Sequence, residues 1–379
     1  MSKFAIDSLV AGGLAVALLL VIGVDKLLTK PTATAPGRVA IVEPSPVRAK
    51  QLRLAVSQTE KDKWDDMGQL LDHLGAGYVY QRVPMRDLYD PKKYDDFDVL
   101  FLTCSSEGND PAVASNVRQF VAKGGTLYAS DWRYLVVAQA FPDMVARSLE
   151  GEGTFQKLEA DVVDPGLQDA LGTKRVPLKF NLDRWKTAAF GGDRVKVLIK
   201  ARYKKQEGGM SETPLLVKFS FGGKARSDSH GAHEGTVIFT SFHNEAQNSE
   251  VETKLLKYLV FSAVTAQIES EINQTMIKGG FSPQKSNLLS ASGQSEVAYS
   301  YQSKKAGKVR FILGFQEQGA RLKLTVVSPD GKKREAEGTS TIVLEESSAV
   351  AGEWRYTVTA LSVPFPDFPF TLTVGESQQ

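Results

Sequence analysis

Apolar residues recur along this chain with three different spacings, and each spacing predicts a different kind of element. Residues 9–24, LVAGGLAVALLLVIGV, are apolar on every face and carry no charge. Asp7 bounds the run on one side; Asp25 and Lys26 bound it on the other. Extended through Leu27 and Leu28, the run reaches about the 20 residues that a bilayer core requires. It predicts an N-terminal transmembrane helix within residues 1–28. A cleaved signal peptide is the competing reading and needs a small-x-small site. Thr32-Ala33-Thr34-Ala35 offers one only after Lys26 and Lys30. Residues 29–50 are rich in proline, threonine and alanine and predict an extended linker.

From residue 51 the pattern is that of an α/β domain, extending to residue 265. Leu52, Leu54 and Val56 alternate as in a short strand. Met67, Leu70, Leu71 and Leu74 share one face of a helix over 65–74. Residues 78–83 read as a second strand. Val99-Leu100-Phe101-Leu102 is wholly apolar, as expected of a strand buried on both faces of a parallel sheet. Asp110-Pro111 starts the next helix, with Val113, Val117, Phe120 and Val121 as its buried stripe. Lys123-Gly124-Gly125 ends it. Residues 126–129 form another strand, and strands alternating with helices predict a flavodoxin-like, doubly wound parallel sheet. Residues 150–235 are less regular, with strands over 195–201 and 215–221 and exposed loops over 206–209 and 222–234. A strongly apolar strand over 236–240 and a helix over 250–264 close the domain.

Residues 266–292 are polar and predict a linker. After them the spacing changes to two. Val309, Phe311 and Leu313 alternate, as do Leu322, Leu324 and Val326, then Trp354, Tyr356, Val358 and Ala360, then Phe370, Leu372 and Val374. Short strands without helices predict an antiparallel β-sandwich over 293–379.

Hydrophobic residues make up 42% of the chain and charged residues 24%, enough for sizeable cores. The net charge is +2 with mixed signs, which gives no concentrated basic face for nucleic acid. Cys104 is the one cysteine, which excludes an intrachain disulfide and multi-cysteine zinc sites. Lys26, Lys30 and Arg38 after the apolar run outnumber Lys3 before it, placing the soluble part in the cytoplasm by the positive-inside rule. Gly12-Gly13 within the run allow close helix approach, a route to a homo-oligomer.

Four segments carry residues suited to chemistry. Cys104, Ser105 and their loop follow the 99–102 strand, and open α/β sheets bind ligands at such strand ends. Cys104 is a nucleophile if a base lies beside it, and otherwise a small apolar residue at a strand end. Ser130, Asp131 and Trp132 stand where a strand runs sharply into a helix. Either Ser130-Asp131 caps that helix or the turn presents a reactive group. His243 and Glu245 follow the 236–240 strand and have the make-up of a base and the acid that orients it. His230, His233 and Glu234 lie in a glycine- and serine-rich loop and read either as contacts to a metal ion or as mobile surface residues.

Three of these features together resemble the class I glutamine amidotransferase-like superfamily, particularly its ThuA-like branch. They are the 98–104 strand, Gly124-Gly125-Thr126-Leu127-Tyr128, and Ile238-Phe239-Thr240-Ser241-Phe242-His243-Asn244-Glu245. The resemblance spans residues 51–265. In active members the elbow presents a cysteine between glycines, and a His-Pro-Glu sequence supplies the other two groups. Here His243 and Glu245 match with Asn244 in place of proline, while the nucleophile's place falls at Ser130 or Asp131. A carboxylate cannot form the thioester, so the resemblance implies a domain that has lost glutamine hydrolysis. Relatives of that kind serve as binding modules in envelope or membrane complexes. The sandwich resembles accessory domains of surface proteins, which points to the extracytoplasmic side, against the charge count.

The expectation is therefore a single-pass cell-membrane protein that binds other membrane or envelope proteins and needs no cofactor. The alternative is a hydrolase or lyase with an altered site. Asp131, His243, Glu245 and Cys104 are the candidate catalytic residues: the first three hold a metal ion or activate water, with Cys104 or Ser105 contributing. Ser105, Ser130, Trp132 and His243 are the candidate ligand contacts, and no metal ion is assigned.

Overall fold

A computed structural model describes residues 52–59, 65–74, 78–222, 234–291, 295–315 and 319–377. The apolar run, the 29–50 linker and the His230 and His233 loop lie outside the described residues. Among the described residues, no helix is long and apolar enough to cross a membrane.

The α/β part runs β1 (Leu54–Gln58), α1 (Met67–Leu74), β2 (Tyr80–Pro84), β3 (Val99–Leu102), α2 (Pro111–Ala122), β4 (Thr126–Ser130), α3 (Tyr134–Ala140), β5 (Glu152–Gly153), β6 (Gln156–Val162), α4 (Pro165–Leu171), β7 (Arg175–Phe180), β8 (Trp185–Lys186), β9 (Val195–Lys204), β10 (Met210–Gly222), β11 (Glu234–Thr240), α5 (Glu250–Val264) and α6 (Ala266–Lys278). The sandwich strands are β12 (Phe281–Ala291), β13 (Glu296–Ser303), β14 (Gly307–Gly314), β15 (Arg321–Val327), β16 (Lys333–Gly338), β17 (Ile342–Ala349), β18 (Gly352–Ser362) and β19 (Phe368–Ser377).

One nine-stranded sheet has the order β2-β1-β3-β4-β11-β10-β9-β6-β7. Its first five strands are parallel, as the apolar β3 predicts. Residues along β3 alternate between two cores: Val99 and Phe101 join α1, α4 and α5 on one face, Leu100 and Leu102 join α2 and α3 on the other. Helices therefore cover both faces, and the parallel half is doubly wound. The remaining four strands pair antiparallel from β11 outward. This corrects the all-parallel expectation. Antiparallel neighbours need no crossover helix, so the region 150–235 looked irregular only against a βαβ pattern.

The N-terminal signals of α2 act as expected. Asp110 accepts the amides of Ala112 and Val113, and Pro111 occupies the first turn. Gly124 has φ +94°, which lets the chain leave the helix in the left-handed region. Ser249 and Glu252 form a reciprocal capping box at α5.

Residues 266–292 are not a linker. They form α6 and the first sandwich strand, β12. Their polar composition reflects one-sided burial: Ile268, Ile272 and Met276 of α6 pack with Phe281 and Ile312 of the sandwich. Two four-stranded antiparallel sheets, β12-β19-β14-β17 and β13-β18-β15-β16, enclose the last core. Phe311 of one sheet meets Trp354 and Tyr356 of the other, with centroids 5.7 and 5.6 Å apart.

The sandwich is docked on the α/β part through polar as well as apolar contacts. Asn287 is buried; its amide donates to Asp169 of α4 at 3.0 Å and its carbonyl accepts the Tyr356 hydroxyl at 2.6 Å. Lys257 of α5 pairs with Asp367 at 2.8 Å, and Tyr78 donates to the Asp367 carbonyl at 3.0 Å. Tyr356→Phe strands the Asn287 carbonyl and is expected to cost about 1–3 kcal/mol. Calorimetry checks it: one cooperative transition shifted down is the expected result, and a separate early melting of the sandwich would contradict the docking.

Candidate functional site

Every residue of β4 is buried, and the chain turns sharply at Asp131 as it leaves the sheet. Asp131 has φ +44°, and only Asp367 shares a positive φ among the described non-glycine residues. That region costs an ordinary side chain about 1–2 kcal/mol, and aspartate is among the residues that enter it most readily. A short 3-10 turn, Asp131–Arg133, then leads into α3. This is the strand–turn–helix arrangement of an elbow.

The capping reading of Ser130-Asp131 is overturned, because Ser130 makes no side-chain cap and Asp131 turns away from the helix. The Ser130 hydroxyl donates to Asp65 Oδ2 at 2.7 Å and accepts the Cys104 amide at 3.0 Å. Asp131 Oδ1 accepts the Lys186 amide at 2.6 Å. Asp131 Oδ2 lies 3.0 Å from His243 Nε2 and accepts the Cys104 thiol at 3.7 Å. The ends of β3, β4 and β11 thus bring Cys104, Asp131 and His243 together, as their strand-end positions predict. Their exposures are 2%, 0% and 2%.

Glu245 does not orient the histidine. It is exposed and accepts the Asp66 amide at 3.1 Å. Asn181 takes that part: its Oδ1 sits 3.0 Å from His243 Nδ1. With Nδ1 donating to this carbonyl, Nε2 is the nitrogen turned to Asp131 and Cys104. Although Nε2 stands within ion-pair distance of Oδ2, the angle does not make a hydrogen bond.

Three supporting residues were invisible in the sequence. Asp65 accepts Ser130 and, at 3.0 Å, the Asn244 amide, so it ties the elbow to the end of β11. Arg133, 0% exposed, donates to the carbonyls of Thr103 and Glu107 and to Asn109 Oδ1, and so shapes the Cys104 loop. Asn181 lies on a segment with no pattern of its own. The hydroxyl of Ser105, a candidate ligand contact, accepts the Glu107 amide within its own loop.

A ribbon of β5 and β8 lies over the elbow. Trp132 donates from Nε1 to the Arg184 carbonyl at 3.3 Å, and the Lys186 ammonium stands 4.8 Å from its ring centre. Glu152 pairs with both Arg184 and Lys186. Gly153 leaves room for the Trp185 ring: a Cβ there would come within 2.0 Å of it. Trp132 thus helps to hold this cover.

The electrostatics follow from burial. Burial pushes the Asp131 carboxyl up, with His243 opposing the rise. Burial also raises the Cys104 thiol. For His243 burial acts to lower its pKa, but Asp131, Cys104 and Asp65 outweigh it and hold the imidazole well above its ordinary value. Burial pushes Asp65 up to about 6. A protonated histidine is not a general base, and a buried thiol with a raised pKa is a poor nucleophile.

No family model matches the chain, and no curated protein matches it. Similar solved structures include a glutamine amidotransferase of Methylobacillus flagellatus, 12% identical, covering 57% of this chain and 76% of that one with a TM-score of 0.35. A glutamine amidotransferase of Thermotoga maritima is 9% identical, covering 61% and 94% with a TM-score of 0.33. A ThuA-like protein of Parabacteroides merdae is 11% identical, covering 55% and 88% with a TM-score of 0.35.

Two outcomes are expected of this geometry. Asp131→Asn tolerates the positive φ yet removes the charge facing His243, and should cost about 3–5 kcal/mol in denaturant melts. Combined with His243→Ala it should cost much less than the sum of the two, since they break one contact; additive losses would count against the pair. The second outcome concerns pH. The folded pKa of Asp65, about 6, exceeds the ordinary 3.8, so its contribution to stability is complete below that lower value and is lost as pH rises to about 6. The gap corresponds to about 3 kcal/mol. Asp65→Asn keeps an acceptor for Asn244 and should gain on the unaltered protein by up to that amount as pH rises from about 4 to about 6.5, as measured in urea titrations. Parallel curves for the two proteins would show that Asp65 does not titrate in this window.

Proposed function

We propose that this chain is a non-catalytic binding protein, held at the cell membrane by its N-terminal apolar run, whose α/β domain and sandwich bind other membrane or envelope proteins. One observation carries the non-catalytic part. The residue at the elbow, Asp131, is fully buried beneath the β5–β8 ribbon, with one oxygen bonded to the Lys186 amide and the other against His243 and Cys104. A nucleophile must face its substrate, whereas this side chain faces only its own protein. Its carboxylate also cannot form a thioester, so the elbow is degenerate for glutamine hydrolysis. The docked sandwich supports a binding role, because two domains joined by Asn287, Tyr356 and Asp169 present one pre-organised surface. The membrane tether rests on residues 9–28, and the basic residues that follow favour a cytoplasmic soluble part.

The 3.0 Å approach of His243 to Asp131 favours a second reading, a hydrolase or lyase with an altered site. Glu245 has no part in it, since that side chain points to Asp66.

Full-length protein in mild detergent distinguishes the two. Ammonia release from glutamine and hydrolysis of activated esters are expected to stay at the rate of buffer alone, while partner proteins copurify in fixed stoichiometry from crosslinked membranes. Turnover that disappears in Asp131→Asn and in His243→Ala would overturn the binding reading in favour of the enzyme.

A further inference from the structure

The buried centre has a geometry that an ion pair alone does not require. Sγ of Cys104, a carboxylate oxygen of Asp131 and a ring nitrogen of His243 all lie within 4.8 Å of one another. Within that triangle, His243 Nε2 stands 3.0 Å from Asp131 Oδ2, and Cys104 Sγ stands 3.7 Å from the same oxygen. A tetrahedral zinc ion bonds nitrogen and oxygen at about 2.0 Å and sulfur at about 2.3 Å, so its donors stand about 3.3 Å (N to O) and about 3.5 Å (S to O) apart. These two spacings, from nitrogen and from sulfur to the shared oxygen, are close to those of a zinc-type donor set.

Three further features fit. His243 Nε2 is buried and aimed into the triangle without a hydrogen-bond partner, so on losing its proton it offers its lone pair to a metal. Each donor is held from behind by the kind of contact that orients metal ligands. Asn181 holds Nδ1 of the histidine, the Lys186 amide holds the second oxygen of Asp131, and Ser130 holds the backbone of Cys104. The charges also balance: a divalent ion with one thiolate and one carboxylate is neutral, which suits a dry site. Asn181 is exposed, so the outer edge of the imidazole lies one side chain from solvent.

We propose that Cys104, Asp131 and His243 bind a divalent zinc-class ion through Sγ, Oδ2 and Nε2. Sulfur, imidazole and one carboxylate select zinc-class ions over calcium or magnesium, which take oxygen ligands. On binding, the thiol and the imidazolium each release a proton to solvent while their lone pairs form the bonds to the metal. Among the described residues no fourth histidine, cysteine or acid joins the group, so a water or small anion fills the fourth position. The ion would tie together the ends of β3, β4 and β11. The proposal is independent of the binding role: the centre can hold an ion whether or not a partner is found.

The test uses full-length protein in detergent, stripped with a chelator and titrated with Co(II). Because Cys104 is the one cysteine, a thiolate-to-cobalt band can come only from this site. The expected result is that band together with intense tetrahedral visible bands, saturating at one Co(II) per chain and displaced by Zn(II). Cys104→Ser should lose the thiolate band. Asn181→Ala keeps all three ligands and should bind Co(II) about 10–100-fold more weakly. That second variant keeps the proposal open to refutation if Cys104→Ser fails to fold. Zn(II) should also raise the melting temperature of the unaltered protein. Protein with a native circular dichroism spectrum and no thiolate band at tenfold excess of Co(II) would overturn the proposal. So would a weak octahedral spectrum, such as ions on His230 and His233 would give.

Discussion

The contact between Asp131 and His243 is the constraint on which the centre of this molecule depends. Two ionisable side chains with almost no solvent exposure lie 3.0 Å apart at the junction of β4 and β11. Taking either charge out of water alone costs several kcal/mol, so neither can be buried without the other. The sheet must then hold β4 and β11 in register, and it does, with Thr240 opposite Ser130. The elbow must adopt a positive φ to bring the carboxylate round, and the β8 amide must arrive to satisfy its second oxygen. Asp65 and Arg133 extend the same network to the neighbouring loops. The placement of β5, β8 and the Cys104 loop therefore follows from polar bookkeeping as much as from apolar burial.

Much of this was legible in the sequence, and the limit has a physical form. Val99-Leu100-Phe101-Leu102 announced a strand buried on both faces, and Asp110-Pro111 announced a helix start, because both signals act between residues close in the chain. Cys104, Asp131 and His243 stood out because each follows an apolar strand, and parallel strands gather their ends along one edge. Asn181 could not be found that way. It reaches His243 from a segment outside the parallel pattern, across 62 positions of sequence. Glu245 was the natural guess by proximity, but its side chain is exposed and accepts the Asp66 amide. Asp65 and Arg133 carried no signal, since burial of a charged group is a tertiary property that composition does not reveal.

The same limit explains the region after β4 and the segment before the sandwich. Antiparallel strands β6, β7, β9 and β10 extend the sheet by pairing with each other, so their order depends on long-range contacts. The alternation in β6 and β7 is clear once the sheet is seen, with Leu158, Ala160, Val162, Val176, Leu178 and Phe180 turned to one core. α6 and β12 seemed a polar linker because each buries only one face, and the faces they bury meet each other's domain.

A buried ion pair is weak evidence for stability, since apolar side chains of similar size often serve a core as well or better. What such a pair supplies is position. Here it fixes the elbow carboxylate in one orientation, turned inward and covered by the ribbon, where a nucleophile would have to point outward. The backbone makes a strand–turn–helix elbow while the Asp131 side chain faces the interior. In this chain, polar groups placed at strand ends hold three strand ends, a loop and a ribbon together.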